Sequence, residues 1–302
     1  MHRILKQPIE NAMSSSPVRW LTQRRVRGKR LILAYHGIIP EGRQPAGERA
    51  LFIAQRTFAR QLDALVAEAD VVPLDRIDDA GTARPQVAIT FDDAYAGAVN
   101  EGVQELVKRG LPATIFVAPG RLDGHVFWWD ALADGNDVLD PQMRHHALYA
   151  LSGTDERVKS WASSNALRLS ETVPAYARAA TRAELAAAVA KPGITVGSHS
   201  WSHRNLAALG MSDLVAEVRD SRAWLRAEFG KKALDWFAYP YGFDSDDVHR
   251  AVAEASYAGG LRVGGGWHYP SDASRFTRPR FCVGPGLSLA GFRARLHGAR
   301  LK

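Results

Sequence analysis

Cysteine is almost missing from this chain of 302 residues. The single thiol, Cys282, excludes an internal disulfide framework and a cysteine-rich zinc site. Long apolar runs are missing as well. None approaches the roughly 18 residues that a membrane helix needs. Lys6, Pro8, Glu10 and Asn11 break up the opening segment MHRILKQPIENAM, which therefore lacks the apolar core of a secretory signal. A cytoplasmic protein is the expectation. There is no internal repeat and no low-complexity tract. The most informative shortage is of charge in the body. The 39 Lys+Arg exceed the 32 Asp+Glu by seven, but Arg3, Lys6, Arg19, Arg24, Arg25, Arg27, Lys29 and Arg30, set against Glu10 alone, account for all of that excess within residues 1–30. Residues 31–302 hold 31 charges of each sign. A body without excess positive charge lacks the field that binding to phosphates draws on, so no nucleic-acid partner is expected.

The remainder is ordinary for a globular protein: 46% hydrophobic and 24% charged residues suffice for one large core or two modest ones over residues 31–302. The basic arm, residues 1–30, contains Ser14-Ser15-Ser16-Pro17 followed by VRWLTQRRVRGKR, whose Val18, Trp20 and Leu21 suit a short basic amphipathic helix. Such an arm fits peripheral contact with an anionic membrane face; a disordered basic terminus accounts for it equally. From residue 31 the pattern alternates. Short apolar runs at 31–35, 71–73, 87–91, 113–117, 195–198, 236–239, 258–263 and 280–283 read as strands. Segments of helical period at 55–69, 97–109, 214–229, 246–255 and 288–296 lie between or after them. Strands alternating with helices mean parallel βαβ units, and this many of them predict an α/β fold, a distorted (β/α) barrel of about seven parallel strands. Residues 130–192 break the alternation. They read as helices, among them 155–169 and one opened by the capping-box pattern Thr181-Arg-Ala-Glu184, and are expected to form a helical insertion on the active-site face.

Three strand ends carry residues with chemistry. Thr90-Phe91-Asp92-Asp93 closes a strong strand, and the C-terminal ends of strands are where an α/β barrel keeps its reactive groups. Alone, the two carboxylates suit a solvated turn or helix cap at least as well. His199-Ser-Trp-Ser-His203 follows the strand ITVGS. On one helical turn the two imidazoles would share a face and suit a divalent metal; an isolated pair is as often two surface histidines. Two histidines with one carboxylate, however, make a three-ligand set with open positions for water, the arrangement of a hydrolytic metal centre. Phe237-Ala-Tyr-Pro-Tyr-Gly242 must turn at its Pro-Tyr-Gly, and a turned backbone offers N–H groups to an oxyanion.

These motifs, in this order, resemble the polysaccharide deacetylases of the NodB-homology type, carbohydrate esterase family 4. Ala34-Tyr35-His36-Gly37 is similar to the opening strand of many members, and Phe127-Trp128-Trp129-Asp130 resembles a segment of one branch. The resemblance covers about residues 31–297. It implies Asp92 as the general base acting on a metal-bound water, and Asp93, His199 and His203 as ligands of a divalent ion. Zinc is the first expectation for that ion, with cobalt, nickel and iron also suited to the donor set. It implies the backbone N–H of Tyr241 as the oxyanion donor and an amino-sugar glycan as substrate.

Two positions depart from the family pattern. The arginine that orients the base in many members is replaced by Ala238, and Arg280, or else Arg278, is expected to supply the guanidinium. The late Leu-x-His that supplies the acid has no clean counterpart, leaving His36, His268 and His297 as unranked candidates. His297 also suits a cation at a helix C-terminus. Trp128, Trp129, Trp201, Tyr241 and Trp267 adjoin strand ends, where aromatic faces suit sugar rings; core packing is the competing reading. His145-His146 reads as surface. The expected reaction is metal-dependent removal of N-acetyl groups from a polysaccharide, oligosaccharide or lipid-linked glycan. A deformylase or other amidase of the same superfamily, and a carbohydrate-binding protein that has lost turnover, are the alternatives.

Overall fold

The computed structural model describes residues 26, 28–79, 84–133, 139–170, 172–271 and 274–299. Most of the basic arm, with its candidate helix and membrane contact, lies outside the described residues. The elements run β1 (Arg30–Tyr35), β2 (Gly37–Ile39), β3 (Phe52–Ala54), α1 (Gln55–Glu68), β4 (Asp70–Val71), β5 (Gln86–Phe91), α2 (Val103–Val107), β6 (Ala113–Val117), α3 (Trp128–Leu132), α4 (Pro141–Tyr149), α5 (Asp155–Ser164), α6 (Arg182–Val189), β7 (Ile194–Ser198), α7 (Met211–Phe229), β8 (Ala233–Ala238), α8 (Asp246–Glu254), β9 (Gly259–Val263), β10 (Arg278–Cys282) and α9 (Leu289–Leu296). A π-helical turn over Ala98–Gly102 leads into α2.

Continuous apolar sequence makes the barrel. Every residue of β1 (RLILAY), β5 (QVAITF) and β6 (ATIFV) is buried, because a parallel strand here faces the barrel interior on one side and a helix on the other. The seven strands pair in the order β1-β10-β9-β8-β7-β6-β5, all parallel, and β5 pairs back onto β1 through six residue pairs from Arg30↔Gln86 to Tyr35↔Phe91. The expected closed barrel of seven strands is therefore what forms. β4 adds to the start of β5, while β2 and β3 pair separately.

The helices follow their sequence signals. Phe58, Leu62 and Leu65 of α1 are buried at helical spacing. The Thr181–Glu184 capping box opens α6 reciprocally, and Ser245 and Ser288 cap α8 and α9 by accepting from Val248 N and Gly291 N. Among the described residues between β6 and β7 there is no named strand, only helices and an isolated bridge from Ala179 to Tyr95. Two features orient the ends of the barrel. The segment after β9 runs back to the start of the strands, where Arg30 and His268 exchange backbone hydrogen bonds of 2.7 and 3.0 Å. At the opposite end, the register between β7 and β8 slips from Val196↔Ala233 to Ser198↔Phe237. That bulge puts extra residues into β8 next to the chemistry-bearing loops.

Candidate active site

Three loops at the C-terminal ends of β5, β7 and β8 meet over the barrel. After β5 the chain turns through Asp93 and Ala94, both left-handed at φ 66° and 50°. Asp tolerates that region, and Ala94, fully buried, has no larger side chain to strain it. The loop after β7 is not the helical turn expected for the His199–His203 pair. Ser200 (φ 62°) and His203 (φ 59°) are left-handed instead. The bend is pinned by His199 N donating to Val117 O at 2.8 Å, His203 N to Ser200 Oγ at 3.0 Å, and Ser202 N to Glu217 Oε2 at 2.8 Å. Two imidazoles four residues apart thus converge through loop geometry, not through helical period.

The three candidate ligands are all buried, and their ligand atoms lie within 4.8 Å of one another. Asp93 Oδ1 is 3.0 Å from His203 Nε2 and 3.6 Å from His199 Nε2, and the two Nε2 atoms are 3.1 Å apart. His199 Nδ1 donates to Ala238 O at 2.7 Å, which fixes its tautomer and leaves the Nε2 lone pair facing the cluster. Burial holds the His199 imidazole neutral, its pKa lowered to about 4 against the opposing pull of Asp92. Asp93 Oδ1 is buried and makes no regular hydrogen bond. Burial alone would protonate Asp93, but His203 and His199 hold its carboxyl below the usual range. One carboxylate and two imidazole Nε2 atoms facing a common point, with an orphaned buried oxygen among them, fit a divalent cation.

Beside this cluster, Asp92 is 2% exposed and ion-paired to Arg280, which is fully buried. Arg280 Nη1 and Nη2 donate to Asp92 Oδ1 and Oδ2, each at 2.7 Å. Nη1 also reaches Thr90 Oγ1 at 3.3 Å, and the guanidinium lies over the Phe116 ring at 5.5 Å. Arg278, at the other end of β10, bonds to Asp78 and Pro270 O instead. Burial would raise the Asp92 pKa, yet Arg280 and the nearby imidazoles hold the carboxyl well below the usual carboxylate range.

A cavity of about 360 Å³ opens onto these groups, lined by His36, Asp92, Asp93, Trp129, His199, His203, Tyr241 and others. His36 Nε2 is 3.9 Å from Asp92 Oδ2. His268 lies at the far end of the barrel, its Nδ1 near Gly266 O, and His297 is buried against Glu68. Of the three acid candidates, only His36 reaches the cavity. Tyr241 is left-handed (φ 59°) in the turn after β8. Its ring meets His203 edge-on at 4.6 Å, and its hydroxyl accepts from Trp128 Nε1 at 3.1 Å. Trp129 stacks on Phe127 and tilts against His203 at 4.9 Å. The other three tryptophans singled out as sugar platforms do not line this cavity, and Trp128 is buried. Trp201 packs against the turn at Gly120, to whose N its carbonyl bonds. Trp267 is at the opposite end, donating to Arg295 O at 2.8 Å.

Sequence reasoning passed over a buried network behind the Trp129 wall. Trp129 Nε1 donates to Tyr95 Oη at 2.8 Å, Tyr95 Oη to Asp130 Oδ2 at 2.6 Å, and Glu48 N to Asp130 Oδ1 at 2.8 Å. Burial, with the nearby carboxylates of Asp93 and Glu48, pushes Asp130 up to about 8. Arg144 Nη2 in turn donates to Glu48 Oε2 at 2.7 Å, and Arg144 lines the cavity. No local signal marks these residues, whose partners lie 34 to 96 positions away.

A family model described as polysaccharide deacetylase matches residues 79–260. No curated protein matches the chain. Among solved structures, the chain is similar to the Streptococcus pyogenes deacetylase PplD in complex with acetate (16% identity, TM-score 0.62, covering 89% of this chain and 99% of that one). It is similar also to IcaB from Ammonifex degensii (19%, 0.63, 89% and 97%) and to the deacetylase domain of BpsB from Bordetella bronchiseptica (18%, 0.55, 85% and 96%). At these identities the structures establish a shared fold. The family model spans more than half of the chain, which therefore belongs to the polysaccharide deacetylase family, hydrolases acting on non-peptide C–N bonds.

Proposed function

We propose that the chain removes N-acetyl groups from the amino sugars of a glycan, using a divalent ion, zinc foremost, held by Asp93, His199 and His203. The observation that carries this reading is the juxtaposition of a buried Asp-His-His set with an ionised, arginine-clamped carboxylate at the open end of the barrel. Such an ion, when bound, polarises an acyl carbonyl and makes a water more acidic. Asp92, ionised through the physiological range, accepts the proton of the attacking water. Arg280 fixes both oxygens of Asp92, so the base has one orientation. The Tyr241 turn borders the same cavity, and its backbone N–H supplies the donor for charge that develops on the carbonyl oxygen. His36 delivers a proton to the leaving amine. It is the candidate imidazole that shares the cavity with Asp92.

The test is acetate release from an N-acetylglucosamine oligomer by the zinc-loaded chain. Asp92→Asn is expected to lower the rate about 10²–10⁴-fold with metal content retained, while Asp93→Ala and His203→Ala lose the metal. Undiminished hydrolysis in Asp92→Asn removes the base from the scheme, and unaltered metal content in the two ligand variants removes the site.

A further inference from the structure

We infer that Arg144 forms an anion-recognising subsite, so that the glycan turned over here carries a carboxylate or phosphate close to its acylated nitrogen. The inference rests on the deacetylase reading above and adds the substrate's charge to it. Away from the Asp-His cluster and His36, much of the cavity wall is apolar, with Leu51, Leu148, Phe243 and Val263 among its residues. Arg144, on α4 of the insertion, is the only Lys or Arg side chain among the lining residues. Its partner Glu48 is fully buried and does not line the cavity. The carboxylate of Glu48 also accepts from Leu139 N at 2.9 Å and Ala50 N at 3.2 Å. The balancing negative charge therefore lies behind the wall, and the cavity meets the cation.

The guanidinium also has donors to spare. Of its five N–H groups, the Nη2 bond to Glu48 Oε2 at 2.7 Å is the one hydrogen bond it makes among the described residues. Neutralising Glu48 needs only a single point charge, which a lysine supplies. The planar fork beyond that bond matches the paired oxygens of a carboxylate or phosphate. With its side chain 34% exposed and one nitrogen anchored, Arg144 is both reachable and held in place before a ligand arrives. A neutral sugar has no group that makes equal use of it.

Three probes separate the possibilities in the zinc-loaded full chain: an N-acetylglucosamine oligomer, N-acetylglucosamine 1-phosphate, and a disaccharide of N-acetylglucosamine with glucuronate. Arg144→Gln strips Glu48 of its counter-charge and endangers folding, so Arg144→Lys, which keeps that charge, carries the test. The expected result is a kcat/KM at least tenfold higher for one anionic probe than for the neutral one, with that ratio falling at least tenfold in Arg144→Lys through KM. Which anionic probe responds identifies phosphate or carboxylate as the source. Equal turnover of all three probes by the wild type, or an equal loss on all three in Arg144→Lys, overturns the subsite. If no probe releases acetate, the deacetylase reading is what has failed. Calorimetric binding of the same probes then decides the subsite, which falls if Arg144→Lys weakens the anionic and neutral probes alike.

Discussion

Replacing Arg280 by methionine, a side chain of similar length without charge, isolates what the guanidinium does for Asp92. Both carboxylate oxygens lose 2.7 Å hydrogen bonds, and the group is left 2% exposed beside a His199 that burial keeps neutral. Removing one partner of a buried pair costs about 3–5 kcal/mol, because the other charge stays in the interior uncompensated. The pH dependence reverses as well. In the wild type the folded pKa of Asp92 lies below its unfolded value of about 3.9. Its contribution to stability is therefore present above that value and is lost as pH falls through the lower folded pKa. In Arg280→Met, burial dominates and raises the folded pKa above the unfolded one. The variant should then gain stability as pH falls toward about 4, and the acid limb of kcat/KM should move to higher pH, since the base must be ionised to act. Urea unfolding across a pH series reads the first effect and a pH–rate profile the second. Asp92→Asn added to Arg280→Met should restore part of the lost stability, a coupling that the double-mutant cycle measures. A loss below about 1 kcal/mol in Arg280→Met, together with an unmoved acid limb, would refute the view that this pair sets the charge of the base.

Two further outcomes follow from groups around the site. Asp130, pushed up to about 8 mainly by burial, stays protonated in the folded chain while ionised in the unfolded one between pH about 4 and about 8. Stability should therefore fall as pH rises through that window, by up to about 1.4 kcal/mol per pH unit, and level off above it. Asp130→Asn should flatten this slope in urea titrations, and an identical slope in the variant would show that another group is responsible. Gly97 has an ordinary helical φ of −64°, yet a Cβ there would sit 2.1 Å from Ile38 O. Gly97→Ala should destabilise the fold by about 1–3 kcal/mol through overpacking, against the small gain alanine usually brings to a helix; an unchanged urea midpoint would show that β2 yields without cost.

How far the sequence was legible depended on the range of each interaction. The strands that build the barrel are runs of consecutive apolar residues, and Thr181 and Ser288 are local caps, so both were readable. β2 and β3, three residues each, are too short for periodicity to register. The left-handed turns at Ser200 and His203 leave no trace in residue type, which is why a helical turn was expected where a pinned loop stands. The tryptophans show a related difficulty. Trp129 and Trp267 both adjoin strand ends in sequence, but the segment after β9 doubles back and carries Trp267 to the opposite end of the barrel. The charge behind the cavity wall was invisible because Glu48 and Arg144 are 96 residues apart.

The strand order also has a consequence for the order of synthesis. β1 lies between β5 and β10, so the barrel closes only once the last strand has left the ribosome. Asp92 emerges 188 residues ahead of the arginine that clamps it. Up to that moment β1 has an unpaired edge, a liability in a nascent chain. A product that stops short of residue 280 has an open sheet and a base without its counter-charge. Catalytic competence in this fold thus requires that translation has passed β10.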